Sequence, residues 1–440
     1  MKKIAKFLLY FCGFVALLAF ALFTTTQDFF DRQNPFYETN MSNIRDFSAK
    51  KQTLKGSLRA SWAKKNITPP QKTAMAAYGF RTFDQVHDSL FANVIVLEMA
   101  GTKTAIISLD LLIFPPSISQ KLPEYFKKNN IPIQNFYFSA THTHHGVGGW
   151  AEGAGGYFLA GKTEEELVIN RIIKQIGEAS LEAIKNLEQT NIAFSKISVP
   201  EFVENRVETN GKTANDLNFV VFKNSSGKKA IWTTYSAHAN CISGKFCELS
   251  RDYAGYLTDS LQKNDFDFAM FSAGMVGSHS PLTKEPLDNY EKAEKIGKGL
   301  AQKIIENQNS LTFLSVNELN FSQIPIKMPN LSARITDNFK TRDFVFDFLL
   351  GKSPHFLTVL SLNNLIFLGT PCDFSGILYE NIVIPKHKKL MITSFNGSYL
   401  GYITPNHYYD KFEQAETREM NWVGRQGDFF VEMINEIMKY

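Results

Sequence analysis

The chain has 440 residues, which is enough for one large domain or two modest ones. Lysine and arginine number 47 against 43 for aspartate and glutamate, and this near balance excludes a chain-wide electrostatic surface for nucleic acid. Hydrophobic residues make up 44% of the chain and phenylalanine alone contributes 38 residues, so the chain can bury a core, with part of the phenylalanine excess available as a surface for an apolar partner.

The first predicted element is an apolar segment at the N-terminus. Three lysines within residues 2–6 precede an uncharged stretch at 7–23, which exceeds the usual core of a signal peptide and reaches the lower length limit for a membrane-spanning helix. No clear small-x-small cleavage site follows. Residues 1–25 are therefore predicted to be an uncleaved membrane anchor or a cleaved signal peptide. Either one exports the remainder of the chain to the periplasmic or extracellular side, because the lysines favour the cytoplasm.

Residues 26–58 are polar and mixed in charge, and we predict a tether or a first wrapping segment there. Export also permits a disulfide between Cys241 and Cys247, which are far enough apart in sequence to pair. No CxxC motif occurs, so a cysteine-rich zinc site is not predicted.

Short β-rich runs alternate with amphipathic stretches from residue 60 onward. The runs at 92–99 and 104–110 predict paired strands joined by a turn at Ala100 and Gly101, and a helical period covers 164–187. Further strands are predicted at 135–140, 218–222, 230–235, 268–272 and 365–369, and further helices at 290–307 and 429–438. This alternation predicts an α/β fold with a layered mixed β-sheet core flanked by helices. No boundary appears within 59–440, so one large domain is expected.

Two histidine segments follow predicted strands. His142 and His144 come directly after the strand at 135–140, and on an extended backbone they face the same side. They can therefore serve as two metal ligands, or as one ligand and one acid/base. Metallo-β-lactamases and amidohydrolases also use HxH, but the former usually continue as HxHxDH, which this chain does not. His238, after the strand at 230–234, is a candidate second nitrogen ligand, although such a residue is more often simply packed.

A third segment, 274–281, combines glycines with Ser280 and Pro281 after the strand at 268–272. Glycines let a backbone approach a ligand closely, and this turn leaves Ser280 exposed. An ordinary Gly/Ser/Pro turn explains the segment equally well.

Together these segments resemble the neutral (non-lysosomal) ceramidases, zinc-dependent amidases that cleave N-acyl-sphingosines, from residue 66 to the C-terminus. Residues 142–144 are similar to the family's HTHSGPG motif, and 235–238 to its second histidine motif. The matches continue with 274–281 for GAxGDxSP, 369–373 for a PGE motif, and 396–405 for NxYxGYxTTP. The family's C-terminal immunoglobulin-like domain is not expected, because the chain stops soon after the last motif.

The resemblance implies one Zn²⁺ per chain, held by His142, His238, Asp373 and Tyr402, with Ser280 as the active-site serine. Asp373 stands where the family has glutamate, and it is one methylene shorter. Ser278 likewise replaces an aspartate of the family motif.

Other residues receive supporting roles. His144, next to the metal, is predicted as the proton shuttle. Asn205 and Arg206 resemble a pair that lines the family's pocket, and Tyr399 is assigned to substrate binding on the same basis. Asp110, at a strand end, is predicted to orient a ligating histidine through its second ring nitrogen, or else to cap the following turn.

The resulting prediction is zinc-dependent hydrolysis of the amide bond of ceramide or a related N-acyl lipid, giving a fatty acid and a sphingoid-type amine. Zinc-bound water is expected as the nucleophile, with Ser280 positioning the substrate, and direct attack by the Ser280 hydroxyl is the alternative. Two alternatives stay open. One is a zinc hydrolase for another lipid amide or ester, and the other is a non-catalytic membrane-anchored surface protein with a decayed site.

Overall fold

The computed structural model describes residues 2–26, 35–50, 53–151, 153–351, 353–411 and 413–440. The helices are α1 Lys2–Leu22, α2 Tyr37–Lys50, α3 Pro116–Ser119, α4 Leu122–Lys128, α5 Gly153–Ala160, α6 Arg171–Lys185, α7 Asp252–Asn264, α8 Asn289–Asn307, α9 Asp343–Leu350 and α10 Gly427–Met438. A π-helical segment, Glu165–Asn170, leads directly into α6.

The described residues also form 22 strands. The first eleven are β1 Phe23–Thr25, β2 Leu54–Lys55, β3 Arg59–Asn66, β4 Gln85–Val86, β5 Phe91–Met99, β6 Thr102–Leu109, β7 Asn135–Ala140, β8 Glu188–Ser198, β9 Val203–Asn205, β10 Asp216–Asn224 and β11 Lys229–Tyr235. The others are β12 Glu248–Leu249, β13 Phe268–Ala273, β14 His279–Pro281, β15 Leu314–Ser315, β16 Glu318–Ile326, β17 Phe339–Thr341, β18 His355–Leu362, β19 Leu365–Gly369, β20 Asp373–Phe374, β21 Lys389–Thr393 and β22 Tyr402–Ile403.

The larger sheet has nine strands, in the order β13-β11-β10-β8-β3-β5-β6-β7, with β15 paired to β8. It is mixed, because β11 runs parallel to β13 and β6 runs parallel to β7, while its other pairs are antiparallel. The predicted hairpin of β5 and β6 is confirmed. Its turn residues Ala100 and Gly101 both have positive φ, as the tight turns that suit twisted strands require.

A second, five-stranded sheet has the order β2-β16-β18-β19-β21 and packs face to face on the first. Trp232 of the large sheet stacks on Phe367 of the small one at a centroid distance of 4.8 Å. Helices α3, α4 and α6 cover one part of the outer face of the large sheet, α7 and α8 cover another, and α2 and α10 cover the small sheet. The predicted layered α/β architecture is therefore confirmed, as helices on both outer faces of two stacked mixed sheets.

The large sheet is so strongly curled that its two end strands meet. Ser139 on β7 and Ser272 on β13 place their hydroxyl oxygens 2.7 Å apart. The Ser108 hydroxyl on β6 donates to the carbonyl oxygen of Phe271 on β13 at 2.6 Å. Twist accumulates from strand to strand, and over this many strands it brings opposite edges together. The carboxyl ends of β7 and β13 thus lie side by side.

The described part of the predicted tether is a packed element. Within α2, Asn40 and Ile44 are completely buried, and the helix lies between α10 and β16. The Asn40 amide donates to the Lys327 carbonyl at 2.7 Å, and its oxygen accepts from the Lys327 amide. Of the predicted tether, residues 27–34, 51 and 52 lie outside the described residues. The remainder matches the wrapping-segment alternative.

The N-terminal helix α1 is long and apolar enough to cross a membrane, and none of it is buried against the protein. A signal sequence has the same properties, so both predicted alternatives remain. The helix is joined to the domain through β1, which pairs antiparallel with β17. Cys12 on this helix, together with Cys241, Cys247 and Cys372, carries a free thiol, so the permitted Cys241–Cys247 disulfide is not formed in this structure.

Candidate metal centre and active site

The curled sheet brings the two histidine segments together. His142 follows β7 and His238 follows β11, the neighbour of β13. Their ring centroids are 4.5 Å apart. His142 adopts a left-handed backbone conformation with φ of 64°. A non-glycine residue in that region carries a strain of about 1–3 kcal/mol and occurs preferentially at functional sites.

A separate two-stranded sheet, formed by β20 and β22, supplies an acidic and a phenolic side chain. β20 lies just beyond β19 and pairs in parallel with β22, so that Asp373 stands directly opposite Tyr402. Asp373 Oδ1 is 3.2 Å from Nε2 of His142 and 3.5 Å from Nε2 of His238. The Tyr402 hydroxyl is 3.0 Å from Nε2 of His238. The four predicted ligands therefore converge on one buried point.

Backbone carbonyls fix both imidazoles. Nδ1 of His142 donates to the Leu112 oxygen at 2.6 Å. Nδ1 of His238 donates to the oxygens of Val276 and His279 at 2.9 and 3.0 Å. A neutral imidazole that donates through Nδ1 presents a lone pair at Nε2, which is the atom that faces Asp373 in each case. Such partners commonly orient metal-binding histidines.

This arrangement corrects the predicted role of Asp110. Its carboxylate contacts neither ligating histidine and instead accepts from the Phe91 amide at 2.8 Å. Burial raises the pKa of Asp110 to about 7, in spite of opposing interactions with Arg251 and that amide. The backbone carbonyl of Leu112, two residues further on, takes the orienting position that was assigned to Asp110.

The buried centre contains polar atoms that its own side chains leave unsatisfied. Nε2 of His142 and Oδ1 of Asp373 make no hydrogen bond, although they lie only 3.2 Å apart. Both ring nitrogens of His144 are also without a partner. An unsatisfied buried polar group costs about 1–3 kcal/mol, and here two acceptors face each other. A cation between them removes that cost, so the donor set fits a metal ion.

Three histidines form the cluster with metal-ligand spacing. Candidate nitrogen atoms of His142, His144 and His238 all lie within 4.8 Å of one another. Nitrogen and carboxylate oxygen donors in such a group suit zinc, whose catalytic sites typically have three protein ligands and one position open to water or substrate. The group could therefore bind a metal ion, with His144 as a further nitrogen near the four predicted ligands.

Comparisons with known proteins place this geometry in a structural family. No protein-family model matches the chain, and no curated protein matches it. Among solved structures, neutral ceramidase from Pseudomonas aeruginosa superimposes with a TM-score of 0.71 at 16% identity, covering 87% of this chain and 74% of that one. A ceramidase complexed with C2 gives 0.70 at 15% identity, covering 87% and 75%. The chain has the neutral ceramidase fold. The predicted resemblance is confirmed at this level.

His144 lies beside His142 in this centre. Burial, with His142 and Arg206 nearby, holds the pKa of His144 well below its usual value. The ring lies 4.9 Å from that of His142 and 5.2 Å from that of Tyr78, measured between centroids. A neutral imidazole has one unprotonated nitrogen, which can accept either a proton or a metal ion.

Arg206 is the cationic residue of the centre. Its guanidinium donates to the Tyr402 hydroxyl at 3.1 Å and to Glu416 Oε1 at 2.7 Å. Burial alone would lower the pKa of Arg206, but the interactions with Tyr402 and Glu416 raise it above its ordinary value. Glu416 is only 2% exposed and belongs to no motif recognised in the sequence. Its pairing with a buried cation becomes visible only in the folded chain.

Two predicted pocket residues have supporting positions. The Tyr399 hydroxyl donates to Asp373 Oδ2 at 2.6 Å, so Tyr399 holds the carboxylate whose other oxygen faces the histidines. The Asn205 amide donates to the Lys212 carbonyl and to Tyr408, and its oxygen accepts from two backbone amides of the loop it begins. Asn205 therefore shapes the loop that carries Arg206.

Ser280 lies on β14, which pairs with β9 so that His279 stands opposite Asn205. Its half-buried side chain makes no hydrogen bond to a described residue. The backbone oxygen of the preceding His279 accepts from His238. Ser278, at the position of the family aspartate, instead pairs with the Ser375 hydroxyl at 2.6 Å. The 278–280 segment thus contacts the histidine cluster through its backbone.

A cavity of about 280 Å³ lies beside the centre, and Tyr399 lines it. The other walls combine apolar side chains, among them Trp150, Phe346 and Trp422, with polar ones such as Gln120 and Asn330. Tyr399 packs against Trp422 at a centroid distance of 5.1 Å and so separates the cavity from Asp373. A cavity with both apolar and polar walls beside a candidate catalytic centre suits a ligand that has a hydrocarbon part and a polar part.

Proposed function

We propose that this chain is a zinc-dependent amidase of ceramide or a related N-acyl lipid. The observation that carries the proposal is the pair of facing acceptors, His142 Nε2 and Asp373 Oδ1, 3.2 Å apart at a buried point of a ceramidase fold. Two such acceptors oppose each other unless a proton or a metal ion joins them. The proposed products are a fatty acid and a sphingoid-type amine, as the resemblance implies.

The proposed ligands of one Zn²⁺ are His142, His238, Asp373 and Tyr402. The chemistry that zinc supplies in such a site is polarisation of a carbonyl oxygen and a lower pKa for coordinated water. The protein prepares the site by fixing Nδ1 of both histidines on backbone carbonyls and by holding Asp373 through Tyr399. Arg206 holds the Tyr402 hydroxyl from the opposite side.

The remaining side chains are proposed to transfer protons and to position the substrate. His144, neutral and uncommitted, is proposed to take a proton from the attacking water and to deliver one to the departing amine. Ser280 is proposed to position the amide carbonyl by hydrogen bonding, since it has no partner among the described residues. The cavity lined by Tyr399 and Trp422 is proposed to receive hydrocarbon of the substrate.

The metal and the reaction are tested together on the purified full-length chain. We expect about one zinc per chain by elemental analysis and hydrolysis of a fluorogenic N-acyl sphingoid amide. A chelator should abolish hydrolysis, and zinc should restore it. A panel containing other lipid amides and esters identifies the bond that is cleaved. Full activity in chelated protein would contradict the zinc mechanism, and a chain without metal or hydrolysis would match the decayed-site alternative.

The same preparation tests the role of Ser280. Mass spectrometry of protein quenched during turnover should show no acyl group on Ser280, because water is the proposed nucleophile. An acylated Ser280 would assign the attack to the serine hydroxyl instead.

The contact of Tyr399 with Asp373 gives a further prediction. Tyr399→Phe removes the hydrogen bond to Asp373 Oδ2 and leaves the ring against Trp422. Loss of such an orienting bond typically weakens metal affinity about 10- to 100-fold. Competition with a fluorescent zinc chelator measures the change, with Tyr379→Phe as the matched control. Unchanged affinity would mean that Tyr399 does not orient the ligand.

A further inference from the structure

Helix α9 has two distinct faces. Phe346 is 2% exposed and packs on Trp422, and with Asp347 it lines the cavity beside the metal centre. Phe344 and Phe348, one helical turn apart, are 58% and 75% exposed. Residues spaced i and i+4 share one face of a helix. One short helix thus carries part of the cavity wall and an unpartnered aromatic surface.

The N-terminal helix is fixed directly beside α9. The backbone amide of Arg342, the residue before α9, donates to the Leu22 carbonyl at 2.9 Å. The Arg342 guanidinium donates to the Phe20 carbonyl at 3.1 and 3.2 Å. A cation on the last carbonyls of a helix is a stabilising cap. The pairing of β1 with β17 continues this attachment, so the end of α1 and the start of α9 share one junction.

This junction limits how far the aromatic face can lie from a membrane spanned by α1. An eight-residue helix is about 12 Å long at 1.5 Å per residue. Phe344 and Phe348 therefore lie within about that distance of the point where α1 ends. Helix α5, which packs on α9, adds Tyr157, exposed and in ring contact with exposed Phe80 at 4.9 Å. Aromatic rings of this kind favour the boundary between lipid and water.

We infer that the Phe344 and Phe348 face of α9 is a membrane-contacting surface that seats the cavity on the bilayer from which α1 emerges. The occupant of this surface is lipid. Substrate then moves from the outer leaflet along α9 into the cavity without crossing water. The surface itself does not depend on the proposed amidase reaction, but the entry route does.

Fluorescence of the full-length chain in phosphatidylcholine vesicles tests the surface. In a Cys12→Ser and Cys247→Ser background the remaining cysteines, Cys241 and Cys372, are buried. An environment-sensitive probe is attached to Phe344→Cys or Phe348→Cys. The matched control is Leu314→Cys on β15, a 60% exposed apolar position that belongs to the nine-stranded sheet.

We expect nitroxide-labelled lipids to quench the two α9 probes several-fold more strongly than the Leu314→Cys probe. Equal quenching at all three positions would overturn the inference. Association of α9 with a second copy of the chain, detected as fluorescence energy transfer between labelled chains that rises with protein concentration, would overturn it as well. A Phe344→Ser, Phe348→Ser double variant adds a turnover measurement. Its hydrolysis of a vesicle-embedded substrate should fall several-fold, while hydrolysis of a soluble short-acyl substrate stays unchanged.

The two measurements separate the two proposals. If no N-acyl lipid is hydrolysed by any variant, the proposed function fails while the quenching result still decides the surface. If hydrolysis occurs and the double variant hydrolyses the vesicle-embedded and the soluble substrate with the same change in rate, the proposed entry route is wrong.

Discussion

Asp373→Asn is expected to remove stoichiometric zinc and N-acyl amide hydrolysis while preserving or raising the stability of the metal-free protein. The charged ligand becomes a neutral amide, so metal affinity should fall by more than the ~10- to 100-fold caused by losing an orienting contact. In the metal-free protein the amide nitrogen can donate to His142 Nε2, which now faces an acceptor oxygen at 3.2 Å. One neutral hydrogen bond contributes about 1 kcal/mol.

Elemental analysis, turnover and urea unfolding in the presence of a chelator measure the three consequences. Asp216→Asn, at a half-exposed aspartate paired with Lys196, is the matched control and should change none of them. A variant that keeps one zinc per chain would show that Asp373 is not a ligand. A metal-free variant less stable than the metal-free wild type would contradict the argument from facing acceptors.

Glu416→Ala is expected to lower the free energy of unfolding by about 3–5 kcal/mol, because it leaves the buried guanidinium of Arg206 without its carboxylate. Oε1 of Glu416 lies 2.7 Å from Arg206 Nε, and the glutamate is 2% exposed. Without Glu416, the Arg206 guanidinium is no longer held in position to donate to the Tyr402 hydroxyl. Turnover should therefore decrease as well. Urea denaturation and steady-state kinetics measure both effects.

A double substitution separates the effect of the two charges on stability from the effect of side-chain packing. Arg206→Met with Glu416→Leu removes both charges at similar volume, and such replacements of buried ion pairs are often neutral or stabilising. We therefore expect the double variant to be more stable than Glu416→Ala and to have lost turnover. A single Glu416→Ala variant that loses less than about 1 kcal/mol would mean that solvent satisfies Arg206.

The sequence predicted elements with strong periodicity and missed those without it. The β5–β6 hairpin, strands β7, β10, β11 and β13 of the large sheet and helix α8 have clear patterns and were found, whereas β3, β8 and β15 of that sheet were not predicted. Strands β16, β18 and β21 of the small sheet were not predicted. The five residues of β21 lie in a region whose apolar pattern is too short to distinguish a buried strand from other core segments.

The residues of the candidate site likewise fall into those that a sequence pattern indicated and those that it did not. His142 and His238 were suggested by their positions after strands, whereas Asp373 and Tyr402 came only from the family resemblance. Both lie on two-residue strands, which have no periodicity to detect. Glu416 was missed because nothing in the sequence shows which cation a buried glutamate will meet. Asp110 was assigned wrongly because a backbone carbonyl, which every residue carries, does the orienting.

The closure of the large sheet also sets the order in which the metal centre can assemble during folding. The contact between Ser139 and Ser272 joins strands separated by 133 positions in the chain. Such a non-local contact forms slowly, since the loop-closure entropy is lost before the contact is gained. A ligand that needs both histidines binds only the closed sheet, and at a thousandfold excess over its dissociation constant it adds about 4 kcal/mol to the native state alone. A bound ion would then slow the opening of the sheet without increasing the rate at which the sheet closes.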